Sequence, residues 1–132
     1  MEGPRNHVLV VDTNQDFLIT VERLLEEQGL DTTTIWSVRE ALALLDSRHF
    51  EAVLIGHHPP ELDASEILLY SAKAGTPSAF FVLQPIRRES AENGIFLSQG
   101  AREVLCKWPC DDLVERVRKC LVQPVGKGAM AA

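Results

Sequence analysis

The sequence predicts an α/β protein in which five parallel strands form one doubly wound sheet with five helices on its two faces. Two observations lead to this prediction. Short apolar runs recur along the chain, and each is followed by a segment in which apolar residues repeat with the period of an amphipathic helix. A helix between two strands returns the chain to the start of the sheet, so consecutive strands run in the same direction. The length of 132 residues corresponds to one domain.

The first strand and the first helix are predicted near the start of the chain. Residues 8–11 form a continuous apolar run, which is typical of a strand covered on both faces, and the run ends at Asp12. The helix that follows ends at Gly29. Its apolar stripe consists of Phe17, Leu18, Val21, Leu24 and Leu25.

Capping residues set the start of the next two helices. β-Branched residues predict the second strand at 32–36, and Ser37 followed by Glu40 is a capping box that opens the second helix. The apolar run 52–55 predicts the third strand. After a loop with two adjacent prolines, Asp63 is the expected N-cap of the third helix.

The last third of the chain completes the pattern. The apolar run 78–83 predicts the fourth strand. Residues 90–98 predict a weak helix, because the glycine inside it costs about 1 kcal/mol relative to alanine. Residues 103–106 predict the fifth strand, and a last amphipathic helix follows it. We expect the domain to comprise residues 1–122 and residues 123–132 to form a disordered C-terminal tail.

Composition and charge exclude several classes of function. A net charge of -6 argues against nucleic-acid binding, since that binding relies on neutralising phosphates. No apolar run approaches the length of about 20 residues that spans a membrane, and the N-terminus lacks the apolar segment of a secretory signal. We therefore expect a cytoplasmic protein without nucleic-acid or membrane partners. Its three cysteines lack paired spacing, which favours packed, reduced thiols over disulfides or zinc.

Polar residues follow four of the predicted strands. In an open parallel sheet, binding sites lie at the carboxyl ends of the strands. The segments that reach this edge are 12–14, 56–58, 84–85 and 106–109. The sequence therefore predicts the functional site there.

Four short motifs together resemble a known family. They are VLVVD at 8–12, EAVLIGHHPP at 51–60, Thr76-Pro77, and Gly100-Ala101 with Lys107 after the fifth strand. In the order and spacing of these motifs, residues 6–122 resemble the receiver domain of bacterial two-component response regulators. The resemblance implies a flavodoxin-like (CheY-like) fold with the strand order 2-1-3-4-5.

The resemblance also implies a phosphorylation pocket, in which several functional side chains are replaced. Receivers accept a phosphoryl group on an aspartate that ends strand three, beside a magnesium ion held by acidic residues after strand one. Gly56 stands at the acceptor position, and glycine offers no nucleophile. Thr13 replaces one residue of the acidic pair, which leaves Asp12 alone for a cation that prefers several oxygen ligands.

Two further positions of this pocket differ from the family. Gln84 stands where receivers have the Ser or Thr that follows the phosphate, and Val104 where they have the aromatic residue that moves with it. Lys107 is retained in type, and its charge balances that of Asp12, so we expect the two to pair. The degenerate phosphorylation pocket consists of Asp12, Thr13, Gly56, Gln84 and Lys107.

We predict a stand-alone atypical receiver, a pseudo-receiver, that acts as a phosphorylation-independent interaction module in signal transduction and is not an enzyme. Neither a cofactor nor a metal is expected. The predicted partner is another signalling protein (a histidine kinase, a regulator or an output protein) or a second copy of the chain. The predicted contact residues are Arg102, Trp108, Arg116 and Lys119. A lid over the pocket is an equal expectation for Trp108.

Two other functions stay open at this point. The first is a receiver that a histidine kinase still phosphorylates at a non-standard carboxylate such as Asp12. The second is a small metal-binding protein or enzyme that uses Asp12, His57, His58 and Lys107, since imidazole and carboxylate suit transition metals. Adjacent residues on extended backbone point in opposite directions, which favours a polar loop over a metal site at the two histidines.

Overall fold

Five parallel strands form one sheet in the computed structural model, which describes residues 6–85 and 90–130 and the side chains up to residue 121. The strand order is β2-β1-β3-β4-β5, so the predicted fold class is confirmed. The strands are β1 (His7–Val11), β2 (Asp31–Ile35), β3 (Ala52–Gly56), β4 (Ala79–Gln84) and β5 (Ala101–Cys106). The helices are α1 (Gln15–Glu27), α2 (Val38–Ser47), α3 (Ala64–Ala74), α4 (Ala91–Ser98) and α5 (Cys110–Met130).

Strand β1 lies inside the sheet and contributes to two separate cores. Leu9 and Val11 pack in the core that also holds buried residues of α2, α3 and α4. Val8 and Val10 pack in the opposite core, with buried residues of α1 and α5. All four side chains are fully buried. Burial on both faces explains why this strand is a continuous apolar run without alternation.

Side-chain caps fix the starts of three helices at or near the carboxyl edge of the sheet. The hydroxyl of Ser37 accepts a hydrogen bond from the N–H of Glu40 at 3.2 Å, and the carboxylate of Asp63 accepts one from the N–H of Ser65 at 3.0 Å. Both caps are as predicted. Asn14 caps α1 in the same way, at 2.9 Å. Each cap satisfies an N–H that has no partner within its helix.

The second strand ends one residue earlier than predicted. Ile35 pairs with Val11, the last residue of β1, and its carbonyl accepts a hydrogen bond from the N–H of Asp12 at 3.1 Å. Strand β1 offers no further residue to pair with, so Trp36 leaves the sheet and is 57% exposed. The prediction of Trp36 as a sheet residue is therefore wrong.

Helix α5 continues beyond the predicted end of the domain. Its assignment to Met130 covers most of the range 123–132, for which the sequence predicts a disordered tail; residues 131–132 lie outside the described part of the chain. Within the described residues, neither this helix nor any other is long and apolar enough to cross a membrane.

Candidate functional site

Two charged side chains are buried at the carboxyl edge of the sheet. Asp12 follows β1 and Lys107 follows β5, and the ends of β3 and β4 lie between them. The side chains meet over this edge, where Asp12 is 0% and Lys107 is 2% exposed. The fold therefore brings together two of the residues of the predicted pocket and removes both from water.

Asp12 and Lys107 form an ion pair with several supporting contacts. The Lys107 Nζ lies 2.9 Å from Oδ2 and 3.1 Å from Oδ1 of Asp12. The same Oδ1 accepts a hydrogen bond from the N–H of Asn14 at 2.9 Å. The ammonium also lies 4.6 Å from the centre of the Phe17 ring, a favourable cation–π distance. The buried Oδ2 lies within ion-pair distance of Lys107 but accepts no hydrogen bond, so the hydrogen bonds of the carboxylate are concentrated on Oδ1. A buried ion pair persists only where such contacts offset its lost hydration.

The Asp12 carboxylate fills the space next to Gly56. A β-carbon built on Gly56 would lie 2.0 Å from the Asp12 Oδ2 and 2.8 Å from its Cγ, which is far inside van der Waals contact. Gly56 is the last residue of β3, the position that the resemblance assigns to the phosphoryl acceptor. Any side chain at this position, aspartate included, requires the carboxylate of Asp12 to move. Gly56 and the buried conformation of Asp12 therefore depend on each other.

His58 covers the ion pair on its solvent side. Its Nε2 lies 3.2 Å from the Nζ of Lys107 and 3.4 Å from the Oδ1 of Asp12, and its side chain is 29% exposed. Because an ammonium group only donates, Nε2 is the acceptor in the contact with Lys107. Asp12, His58 and Lys107 thus form one hydrogen-bonded cluster.

His57 points away from this cluster, as predicted for adjacent residues on extended backbone. Its Nδ1 accepts a hydrogen bond from the N–H of Ala64 at 3.2 Å, and its Nε2 lies 3.2 Å from the Oε2 of Glu92. The ring also packs edge-on against Phe96, with 4.8 Å between the ring centres. Of the four residues predicted for a metal or enzyme site, the structure gathers three and separates His57 from them.

The side chains at this edge do not fit the divalent cation that a receiver pocket implies. Magnesium prefers six oxygen ligands, usually including carboxylates. Asp12 offers a carboxylate, but Lys107 already neutralises its charge. The next residue, Thr13, has no carboxylate and is exposed. Across the described residues, no group of three or more His, Cys, Asp or Glu side chains has the arrangement of a metal site.

Trp108 lies next to Lys107 in the chain and packs against Phe17. Its ring meets the Phe17 ring edge-on, with 5.6 Å between the centres, and 43% of the residue is exposed. The side chain that contacts both members of the ion pair is His58. The Trp108-Pro109 peptide bond is cis, as is the Pro59-Pro60 bond.

The predicted contact residues on β5 and α5 lie on a surface that is more nearly neutral than its basic residues imply. Arg116 donates to the carboxylate of Glu103 at 2.8 Å, and this partner raises the pKa of the guanidinium. Glu115 lies 3.9 Å from Lys119 and accepts a hydrogen bond from Arg118, which lowers the pKa of the carboxyl. Acidic neighbours on the same elements therefore offset these basic charges.

The three cysteines are free thiols. Burial raises the pKa of Cys110 to about 11, with a further contribution from the Asp111 carboxylate. Burial also raises the pKa of Cys120, and Glu103 adds to this effect. Because the thiolate is the reactive form, Cys110 and Cys120 are poor nucleophiles at neutral pH. Their state agrees with the packed, reduced thiols expected from the sequence.

Sequence reasoning missed two residues of this region, Phe17 and Glu92. Phe17 is identified in the sequence only as part of the apolar stripe of α1, yet its ring contacts both Lys107 and Trp108. Glu92 lies in the first turn of α4, where a carboxylate is common because it interacts favourably with the helix dipole. Neither pattern distinguishes these residues from ordinary helix residues, so the sequence carries no signal for their contacts.

The whole fold is similar to solved receiver domains. The receiver domain of the Francisella response regulator 1452 is 24% identical, with a TM-score of 0.80 over 89% of this chain and 97% of that one. The signal receiver domain of a putative LuxO repressor protein from Vibrio parahaemolyticus is 15% identical, with a TM-score of 0.83 over 98% and 99%. HP1043, an orphan response regulator of H. pylori, is 20% identical, with a TM-score of 0.78 over 89% and 99%.

The sequence matches no protein-family profile and no curated protein. The similarity is therefore one of structure, and at these identities it establishes the fold. The chain has the CheY-like fold of response-regulator receiver domains, with the buried ion pair of Asp12 and Lys107 at the carboxyl edge of its sheet.

Proposed function

We propose that the chain is a receiver-like signalling module of the cytoplasm that acts through protein contacts without being phosphorylated. One observation carries the proposal: the Asp12 carboxylate, paired with Lys107, fills the space beside Gly56 where an acceptor side chain would begin. The module is neither an enzyme nor a cofactor-binding protein in this proposal. Its partner is another signalling protein or a second copy of the chain.

The pocket disfavours phosphoryl transfer for chemical reasons. Transfer needs a nucleophile, and Gly56 has none. It also needs positive charge that stabilises the phosphoryl oxygens. Lys107 has this charge, but its ammonium is committed to Asp12 and His58. Modification of Asp12 itself, the alternative, requires a fully buried carboxylate to leave its cation and reach a phosphodonor.

A module without phosphoryl chemistry must be regulated by other means. A ligand shifts a conformational equilibrium only by its differential affinity for the two states. In this chain that ligand is a protein partner, and binding is constitutive once both proteins are present. The cellular concentration of the module then sets the output.

The proposed contact surface lies on β5 and α5. Arg102 is exposed, the Lys119 side chain is 57% exposed, and Trp108 adds an exposed aromatic ring. Aromatic and arginine side chains are enriched at interface hot spots. Because Arg116 and Glu103 lie on the same surface, a two-fold contact between copies allows these opposite charges to pair across the interface.

We expect no phosphorylation of the protein by acetyl phosphate or phosphoramidate with magnesium. Intact-mass spectrometry measures the outcome, and a receiver with an intact acceptor aspartate serves as the positive control in the same buffer. The expected spectrum contains only the unmodified mass. A stable adduct of one phosphoryl group that maps to Asp12 would establish the alternative function and overturn this proposal.

Charge reversal tests the contact surface. The variant Arg102→Glu with Lys119→Glu leaves the Arg116 pair intact, so we expect a change in stability of only about 0.5 kcal/mol for each substitution. Sedimentation velocity at low salt is expected to show at least about tenfold weaker self-association, since electrostatic complementarity supports such contacts. The matched control changes Glu22 and Glu26 on α1 to Gln. If only the control variant disturbs association, the interface lies on α1.

A further inference from the structure

We propose that His57 and Glu92 form a latch that holds the first turn of helix α4 against the carboxyl edge of the sheet. The latch is a property of the fold and does not depend on the proposed function. The contacts lie outside the Asp12–Lys107 cluster and use the histidine that this cluster leaves out.

Helix α4 depends on contacts from elsewhere in the fold. It has eight residues, contains Gly94, and its N-cap residue Ser90 makes no side-chain capping hydrogen bond. Isolated helices shorter than about 12 to 15 residues are marginal in water, and an interior glycine weakens them further. Among the residues of α4, Phe96 is the one that is fully buried. A few tertiary contacts therefore decide where this helix lies.

His57 supplies two of these contacts, and its own position is fixed by the backbone. Its Nδ1 accepts the N–H of Ala64, and its Nε2 lies 3.2 Å from the Oε2 of Glu92. The same ring packs edge-on against Phe96. The His57 side chain is 9% exposed and that of Glu92 is 42% exposed, so the contact lies at the rim of the fold with its histidine side buried.

Glu92 joins the latch to the end of the neighbouring strand. Its Oε1 lies 3.4 Å from the Nε2 of Gln84, the last residue of β4, while its Oε2 contacts His57 after β3. The first turn of α4 is thus connected to the ends of two central strands. Gln84 is also the position at which the resemblance expects the hydroxyl residue that follows the phosphate.

A second connection lies at the opposite end of α4. The Ser65 hydroxyl, in the first turn of α3, donates to the side chain of Gln99 at 2.7 Å, just after the last turn of α4. Opening the His57–Glu92 latch therefore frees the first turn while the last turn stays tethered.

Amide hydrogen exchange of the full chain tests the latch. In His57→Phe, which keeps an aromatic ring beside Phe96, and in Glu92→Ala, we expect amides of α4 to exchange about tenfold faster, because the contact between His57 and Glu92 is lost. The double variant should exchange no faster than Glu92→Ala, which already breaks the contacts of Glu92 with both His57 and Gln84. Glu92→Gln retains an acceptor and should stay close to the wild type.

The matched control is His49→Phe, which breaks an exposed His–Glu pair with Glu51 of similar length, 3.2 Å. We expect it to leave α4 unchanged. Unchanged exchange of α4 in both latch variants, or an equal increase along the whole chain, would overturn the proposal. The readout involves no phosphoryl group, so phosphorylation of Asp12 would refute the proposed function and leave the result for the latch intact.

Discussion

Replacement of Gly56 with alanine should destabilise the protein by about 3 kcal/mol. The added β-carbon would lie 2.0 Å from the Oδ2 of Asp12, so the carboxylate must turn away from Lys107 or the ends of β1 and β3 must separate. Overpacking alone typically costs about 1–3 kcal/mol, and breaking a buried ion pair costs about 3–5 kcal/mol. Chemical denaturation followed by circular dichroism measures the difference.

Gly94 in α4 offers a matched control for this substitution. A β-carbon built there meets nothing within 4 Å. Gly94→Ala should therefore stabilise the protein by about 0.5–1 kcal/mol, the usual gain for alanine over glycine inside a helix. Equal and small effects of alanine at both positions would show that the space beside Gly56 is open.

Replacement of Lys107 with methionine should be at least as costly, at about 3–5 kcal/mol. The variant leaves the Asp12 carboxylate fully buried without its cation, and His58 loses the donor to its Nε2. Methionine has a similar length and keeps the packing against Phe17, so the loss reports on charge more than on volume. Urea unfolding of the purified variant provides the measurement.

Removal of both charges should restore much of this loss. In Asp12→Leu with Lys107→Met no unpaired charge stays buried, and apolar replacement of a buried pair is often neutral or stabilising. We expect the double variant to be more stable than Lys107→Met alone, although the N–H of Asn14 loses its acceptor. If Lys107→Met lowers the free energy of unfolding by less than about 1 kcal/mol, the Asp12–Lys107 pair contributes no more than an exposed ion pair does.

Much of the fold could be predicted because its physical causes are local. The apolar run at 8–11 and the stripe of α1 follow from two-sided burial and helical periodicity. Ser37 and Asp63 were recognisable as caps because short polar side chains bind N–H groups within their own first turn. These relations involve residues close in sequence, so one sequence carries them.

The site was partly predictable for a different reason. The strand pattern places Asp12 and Lys107 at one edge, and their opposite charges predict a pair over a separation of 95 residues. That the carboxylate lies directly beside Gly56 depends on a side-chain rotamer, which no sequence pattern specifies. In the structure, the Asp12 carboxylate occupies the space that a side chain at Gly56 would need. In the sequence, nothing connects these two residues.

Long-range side-chain pairs account for the other differences. Arg116 was predicted as a contact residue, and no sequence pattern indicated that Glu103 on β5 pairs with it. His57 was grouped with a possible metal site, whereas the direction of its side chain leads to Glu92. Both outcomes follow from how helices dock on the sheet, since the partner in each case lies on another secondary-structure element.

A double-mutant cycle between Asp12 and Gly56 tests the central claim most directly. Asp12→Ala, Gly56→Ala and the double variant are unfolded in urea beside the wild type. If the Asp12 carboxylate fills the acceptor space, alanine at position 56 should cost close to nothing once Asp12 is alanine, which gives a coupling energy of about 2–3 kcal/mol. Additive costs, within about 0.5 kcal/mol, would contradict the account, because the two positions would then not share the same space.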